Sequence, residues 1–221
     1  MSLEILYEDE EILVCHKPSG VPVQTAKLGA MDLVSEIRNY LKSPYLGVIH
    51  RLDQPVQGIL VFGKTHSAAK ELNRQLQVSG GFGKYYQAIL CGEPGERTGV
   101  LEDYLVKDAK TNTSRVCRPT EVGAKRARLS YEVLETFAHA GQIYSLVNIK
   151  LDTGRHHQIR VQMANMGCPI WGDTKYGQQK QYQGSGQKIA LCAYRLEFEH
   201  PKTKKPMQFA VCGLDKCAIF Q

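Results

Sequence analysis

The residues with most chemical promise fall in three short stretches of a 221-residue chain. His50-Arg51-Leu52-Asp53 sets a guanidinium and a carboxylate two positions apart. Arg155-His156-His157-Gln158-Ile159-Arg160 gathers two arginines and two histidines, and Lys125-Arg126-Ala127-Arg128 adds a basic run. A carboxylate beside cations suits nucleophilic or acid–base work, and clustered cations suit phosphates. Each stretch also has a plainer reading. An aspartate in a loop rich in Pro and Gly caps turns, and a lone surface cation is simply solvated. Arginines at a helix start oppose the helix dipole, a cost easier to accept where they meet a carboxylate or phosphates. The adjacent histidines invite a metal, but neighbours on a helix point to different faces and no third ligand stands at a suitable spacing. No metal is expected.

Rigid elements must hold these residues. Leu46-Gly47-Val48-Ile49 and Ile59-Leu60-Val61-Phe62 predict two buried strands around the first stretch. The insert Asp53-Gln54-Pro55-Val56-Gln57-Gly58 is punctuated by Pro and Gly, so Arg51 and Asp53 sit on a loop carried by a scaffold. A strand over 143–151 leads into Asp152-Thr153-Gly154, and Thr153-Gly154 suit the entry to a helix over 156–166. On that helix Ile159, Met163 and Met166 face the core, and His156 and Arg160 share another face. Further strands are predicted over 3–7, 11–15, 84–91, 100–106, 114–118, 128–136, 189–199 and 207–212. Amphipathic helices are predicted over 31–42 and 67–78, the second capped by Ser67. Lys17-Pro18-Ser19-Gly20-Val21-Pro22 forbids helix. The Gln-rich stretch 178–186 reads as a flexible surface loop. Roughly eight to ten strands with three helices indicate an α+β protein, a large mixed, mostly antiparallel sheet flanked by a few helices, in one domain over 1–221.

Composition narrows the class. Apolar content of 43% supports a sizeable core, and a net charge of +6 suits a polyanionic partner without requiring one. Seven scattered cysteines form no CxxC pair; Cys91 and Cys192, inside apolar runs, read as core residues of a reduced protein. There is no signal-peptide pattern and no run of roughly 18 apolar residues for a membrane span. The expectation is a soluble cytoplasmic monomer with no membrane partner. The absence of GxGxxG and of a Walker lysine argues against a nucleotide cofactor.

The ordered motifs resemble the RluA-type pseudouridine synthases. His50-Arg51-Leu52-Asp53, Gly58 and a strand ending Lys64-Thr65 match one segment of that family, and Lys84-Tyr85-Tyr86-Gln87-Ala88 with Gly92 a second. Leu151 to Arg160 match a third. Lys17-Pro18-Ser19-Gly20, Gly172-Asp173, Tyr176-Gly177 and Phe198-Glu199-His200-Pro201 extend the likeness over about residues 5–206. The chain departs from the pattern at Val56-Gln57, where Thr-Ser is usual, at His156, where a small hydroxyl residue is usual, and at Cys192-Ala193, where His-Ala is common. The S4 RNA-binding domain of some relatives is not expected, since the KPSG segment begins at residue 17.

The resemblance implies a central active-site cleft and an enzyme that isomerises uridine to pseudouridine in ribosomal or transfer RNA, without cofactor or metal. It implies Asp53 as the catalytic carboxylate, Arg160 as its paired cation and Tyr86 as the ring stacked on a flipped base. His50 and Arg51 are then expected on the RNA side of the pocket, Arg51 holding the flipped nucleotide. Tyr85, on the other sheet face, is expected in the core. Arg155, Lys125, Arg126, Arg128, Lys202, Lys204 and Lys205 are candidate phosphate contacts. Two other readings compete. Val56-Gln57 motivates an RNA-binding or RNA-folding protein with reduced or lost catalysis. A retaining glycosidase would want two carboxylates about 5 Å apart, whereas the motif segments offer Asp53 among basic residues.

Overall fold

A computed structural model describes residues 3–26, 29–78, 80–177, 188–215 and 219. The predicted 178–186 loop and Cys217 lie outside these residues. Eleven strands and three helices have described bounds, and the strands form a mixed, mostly antiparallel arrangement. The chain divides into two compact units, one of residues 1–84 with 193–213 and one of residues 85–192 with 214–221.

In the first unit β1 (Glu4–Glu8), β2 (Ile12–Lys17), β4 (Gln57–Gly63) and β10 (Leu191–Glu199) lie in that order; β3 (Gly47–Val48) pairs with β4, and β11 (Pro206–Ala210) with β10. The β2–β4 register sets His16 opposite Ile59 and Lys17 opposite Gly58, so the KPSG segment leaves its strand beside the end of the Asp53 loop. The core is built from Ile12, Val14, Ile59, Val61, Leu72, Phe82, Leu196 and Phe198. Helix α1 (Leu33–Leu41) buries Leu33, Val34 and Ile37 and is capped by the Asp32 side chain, which accepts from Ser35 N–H. Helix α2 (His66–Gln77) is capped by Thr65, not by Ser67 as expected: the Thr65 hydroxyl accepts from Ala68 N–H. Gln75, buried on α2, bonds both the N–H and the carbonyl of Glu199, so one amide side chain stands in for a strand partner. A Cβ at Gly63 would lie 2.8 Å from the Ala69 backbone, so helix and strand meet here without a side chain between them.

In the second unit the order is β5 (Phe82–Cys91), β9 (Gln142–Leu151), β8 (Lys125–His139), β6 (Thr98–Asp108), β7 (Thr113–Cys117). The β8–β9 pairing is antiparallel, interrupted by a bulge between Val133 and Glu135. Helix α3 (Gln158–Asn165) is buried along Gln158–Met163, polar side chains included. Ile159 and Met163 enter the core as expected, while Met166 is only half-buried. A short helix that buries Gln158, Arg160 and Gln162 must satisfy each one, because buried polar groups without partners are costly. Gln158 bonds the turn before the helix, Arg160 bonds Asp173, and Gln162 donates to Asp103 at 2.7 Å, while the Gln162 Oε1 has no partner among the described residues.

Candidate active site

The Asp53 loop is rigid for reasons that can be counted. Ile49, Leu52 and Val56 are buried anchors; Arg51 and Gln54 face solvent and Asp53 is half-buried. The turn closes through the Asp53 backbone carbonyl, which accepts from Val56 N–H at 3.0 Å. A side-chain cap two residues on is impossible, because Pro55 has no N–H. The plain turn-capping reading of the Asp53 carboxylate therefore fails at that position. Val56 is a core anchor, so the departure at Val56 is spent on packing.

The loop is stitched to the KPSG segment. Lys17, fully buried, donates to the carbonyls of Pro18 (3.0 Å), Val21 (2.8 Å) and Gln54 (3.1 Å). Gly20 N–H donates to the Gln54 carbonyl, Gln54 Nε2 to the Gly20 carbonyl, and the Ser19 hydroxyl to the Pro55 carbonyl at 2.6 Å. Burial pushes the Lys17 ammonium down to about 8, against the nearby Asp53 carboxylate, which pulls it up. Lys17 is thus a fixed cation beside the candidate carboxylate. The KPSG motif does not announce this role, since nothing local signals a bond to Gln54, 37 positions away.

His50 bridges the loop to β4, accepting from Val61 N–H at 3.4 Å, with its ring edge-on to Phe82. Burial, aided by the Lys84 charge, pushes its imidazolium down to about 3. His50 is therefore neutral at physiological pH and offers no charge to a phosphate.

In the second unit, the expected roles of the neighbouring tyrosines are altered in one respect. Tyr86 is the buried member, at 7% exposure, and Tyr85 is half-buried with the Lys150 ammonium 5.7 Å from its ring. Tyr85 is not the core residue expected; alternation along the strand puts Tyr86 there instead.

Arg160 is the most tightly held cation of the expected set. Its Nε and Nη2 donate to the two oxygens of Asp173 at 2.8 and 2.6 Å, with both side chains buried. A bidentate pair fixes the guanidinium plane as well as its position. The guanidinium has five N–H donors, and Asp173 accounts for two of them. Asp173 also accepts from the N–H groups of Lys175 and Tyr176, and the Tyr176 ring lies 5.3 Å from the guanidinium carbon.

The entry to α3 differs from the expected one. Thr153 and Gly154 do not cap the helix. The Thr153 hydroxyl instead accepts from Arg128 N–H and bonds Gln158 Oε1, and Gln158 Nε2 donates to the Arg128 carbonyl, pinning the turn to β8. The cap is His157, with φ 54 in the left-handed region, and its ring stacks on His156 with centroids 3.8 Å apart. The two histidines do not diverge on a helix because both precede it.

The basic stretch is brought together but interleaved with acids. Arg126 makes a two-fold pair with Glu102, Arg128 pairs with Asp152, and Arg155 Nε donates to the Arg126 carbonyl. Lys125 and Arg155 are exposed. Exposed pairs of this kind contribute about 0–1 kcal/mol, so a phosphate can compete for these arginines. Lys202 and Lys204 likewise pair with Glu11 and Glu71.

The family described as RNA pseudouridylate synthase matches residues 11–165, a span that holds Lys17, Asp53, Tyr86 and Arg160 and ends before Asp173. An uncharacterized RNA pseudouridine synthase of Bacillus subtilis (strain 168) is 34% identical over 217 residues, covering 95% of this chain and 68% of the relative. Ribosomal large subunit pseudouridine synthase C of Yersinia pestis is 32% identical over 209 residues, covering 92% of this chain and 63% of the relative. The chain thus spans about two thirds of the length of these relatives. Among solved structures, human RNA pseudouridylate synthase domain containing 1 superposes with a TM-score of 0.81 at 23% identity, covering 99% of this chain and 86% of the other, a likeness of fold.

Proposed function

The chain belongs to the RNA pseudouridylate synthase family, and from that premise we propose that it converts uridine to pseudouridine in RNA as one catalytic domain, with Asp53 as the catalytic carboxylate. In this reaction the bond from uracil N1 to the ribose C1′ breaks, the base turns, C5 joins C1′, the C5 proton leaves to solvent, and N1 takes up a proton in its place. The chemistry calls for an ionised carboxylate at the nucleoside, held so that it cannot swing away while the base is detached. The observation that carries the reading is the Asp53 loop itself, which presents a half-buried carboxylate between strands and is stitched to buried Lys17.

The other roles follow from the resemblance. Arg160 is the cation that serves the reaction, its plane set by Asp173. Tyr86 stacks on the flipped base, whose extraction costs a few kcal/mol of stacking that a ring and phosphate contacts offset. Arg51, exposed on the loop, holds the displaced nucleotide, and neutral His50 supports that side of the pocket through its bond to Val61 N–H. Arg155, Lys125, Arg126 and Arg128 take phosphates. Several relatives are named for the ribosomal large subunit, so its RNA is the first substrate to try, and transfer RNA the second. The test is tritium release from RNA carrying C5-tritiated uridine. Wild-type protein should release tritium and Asp53→Asn should not. Equal, background release by both from ribosomal and transfer RNA would refute the assignment.

A further inference from the structure

We propose that Tyr176 is a positioning residue for Arg160, and that through it Ser114, His156 and His157 make the β6–β7 hairpin part of the apparatus that holds this arginine. The proposal rests on the reading that Arg160 serves the reaction. It starts from a strained point. Helix α3 is capped by His157 in the left-handed region, with no side-chain cap bond, at a residue that carries a β-carbon. Such a conformation persists only where its surroundings over-determine it, and it marks places where geometry serves function.

The surroundings here are specific. His157 Nδ1 bonds the Tyr176 hydroxyl at 2.8 Å, and its ring stacks on His156. The same hydroxyl accepts from Ser114 N–H at 2.7 Å, while Ser114 Oγ bonds His156 Nδ1 at 2.8 Å. Ser114 is buried on β7, so its backbone and its side chain both engage the start of the Arg160 helix and its support. Tyr176 then reaches Arg160 twice. Its ring faces the guanidinium at 5.3 Å, and its N–H donates to Asp173 Oδ1, the oxygen that receives Arg160 Nη2. Position 156 is where the resemblance predicts a small hydroxyl. The longer imidazole is what reaches Ser114 in this chain. Tyr176 therefore ties together a strained helix start and a hairpin through its hydroxyl, and the bidentate partner of Arg160 through its N–H.

Tyr176→Phe isolates the effect, because it keeps the ring and the backbone N–H and removes only the hydroxyl. With an RNA that the wild type modifies, kcat should fall about tenfold, with KM within about twofold, because a small misplacement of a charge-bearing group costs rate before it costs binding. Ser114→Ala, which keeps its N–H bond and loses the His156 link, should fall about threefold. A second readout needs no turnover. The Arg160 Nε–H resonance in 15N-arginine-labelled protein, identified by its loss in Arg160→Lys, should exchange with solvent faster in Tyr176→Phe, and in Ser114→Ala should the first variant fold poorly. Unchanged exchange in the folded variants overturns the clasp, as does an unchanged kcat in an active protein. Faster exchange in a protein whose wild type releases no tritium refutes the synthase reading and leaves the clasp standing.

Discussion

Lys17 spends its three ammonium hydrogens on loop carbonyls, and that makes its charge a structural component of the Asp53 loop. Its folded pKa of about 8 lies below the ordinary lysine value of 10.5. Between those two values the unfolded chain binds the extra proton, so this group makes the fold more stable as pH rises. The cation beside Asp53 is lost over the same window. Activity should therefore decline above about pH 8 without a matching fall in melting temperature, and Lys17→Met should abolish that alkaline limb while lowering activity at pH 7. An alkaline limb that persists unchanged in Lys17→Met would reject the assignment. At this scale the sequence marks Asp53, Arg160 and Arg155 as candidates through contiguous motifs. It was not legible where a partner arrives from afar. Asp173 and Tyr176 stand 13 and 16 positions beyond Arg160, past the end of α3, and no periodicity ties them to it. The histidine pair was misjudged because helical spacing was applied from residue 156, whereas the left-handed turn at His157 delays the helix to Gln158. Tyr85 and Tyr86 alternate along β5 as strand residues do, but alternation does not say which face a lysine will cover.

Strands and helices were legible to within a few residues where burial is one-sided. Helix α1 is written in Leu33, Val34 and Ile37, and β4 in its run of apolar residues. Strand β8 runs three residues further at each end than the expected 128–136, because Lys125, Arg126, Ala138 and His139 are exposed there and leave no apolar alternation to read, whereas β9 starts one residue before the expected 143–151. The element that most constrains the site is β4, at its start. Gly58 has φ 137, and a Cβ on it would lie 2.3 Å from the Ala193 carbonyl oxygen. Gly58→Ala should cost about 2–4 kcal/mol, since both the backbone conformation and the contact must give. The cost is measured as a lower denaturant midpoint, with activity lost as the loop shifts. A midpoint equal to wild type would show that β4 can move aside and that the loop is not held as described.

For the molecule as a whole, the net charge of +6 understates how its cations are arranged. Arg126, Arg128 and Arg115 each have a carboxylate partner, whereas Lys125 and Arg155 are exposed beside them. RNA binding should weaken with salt, and the Lys125→Ala, Arg155→Ala double variant should flatten the log–log salt slope by roughly 1.5, about 0.7 per contact to a single strand. Its kcat at saturating RNA should stay near wild type. An unchanged slope would remove these residues from the RNA face. The overall class was legible from composition and strand count, but the division into two compact units was not, since no linker or change of composition marks it. The central claim is that Asp53 carries out uridine isomerisation in RNA. Its most direct test is a pseudouridine map, by carbodiimide modification and primer extension, of ribosomal and transfer RNA from cells lacking the gene and from the same cells given wild type or Asp53→Asn. At least one pseudouridine should vanish with the gene, return with wild type and stay absent with Asp53→Asn. Maps that are identical in all three, or a site restored by Asp53→Asn, would contradict it.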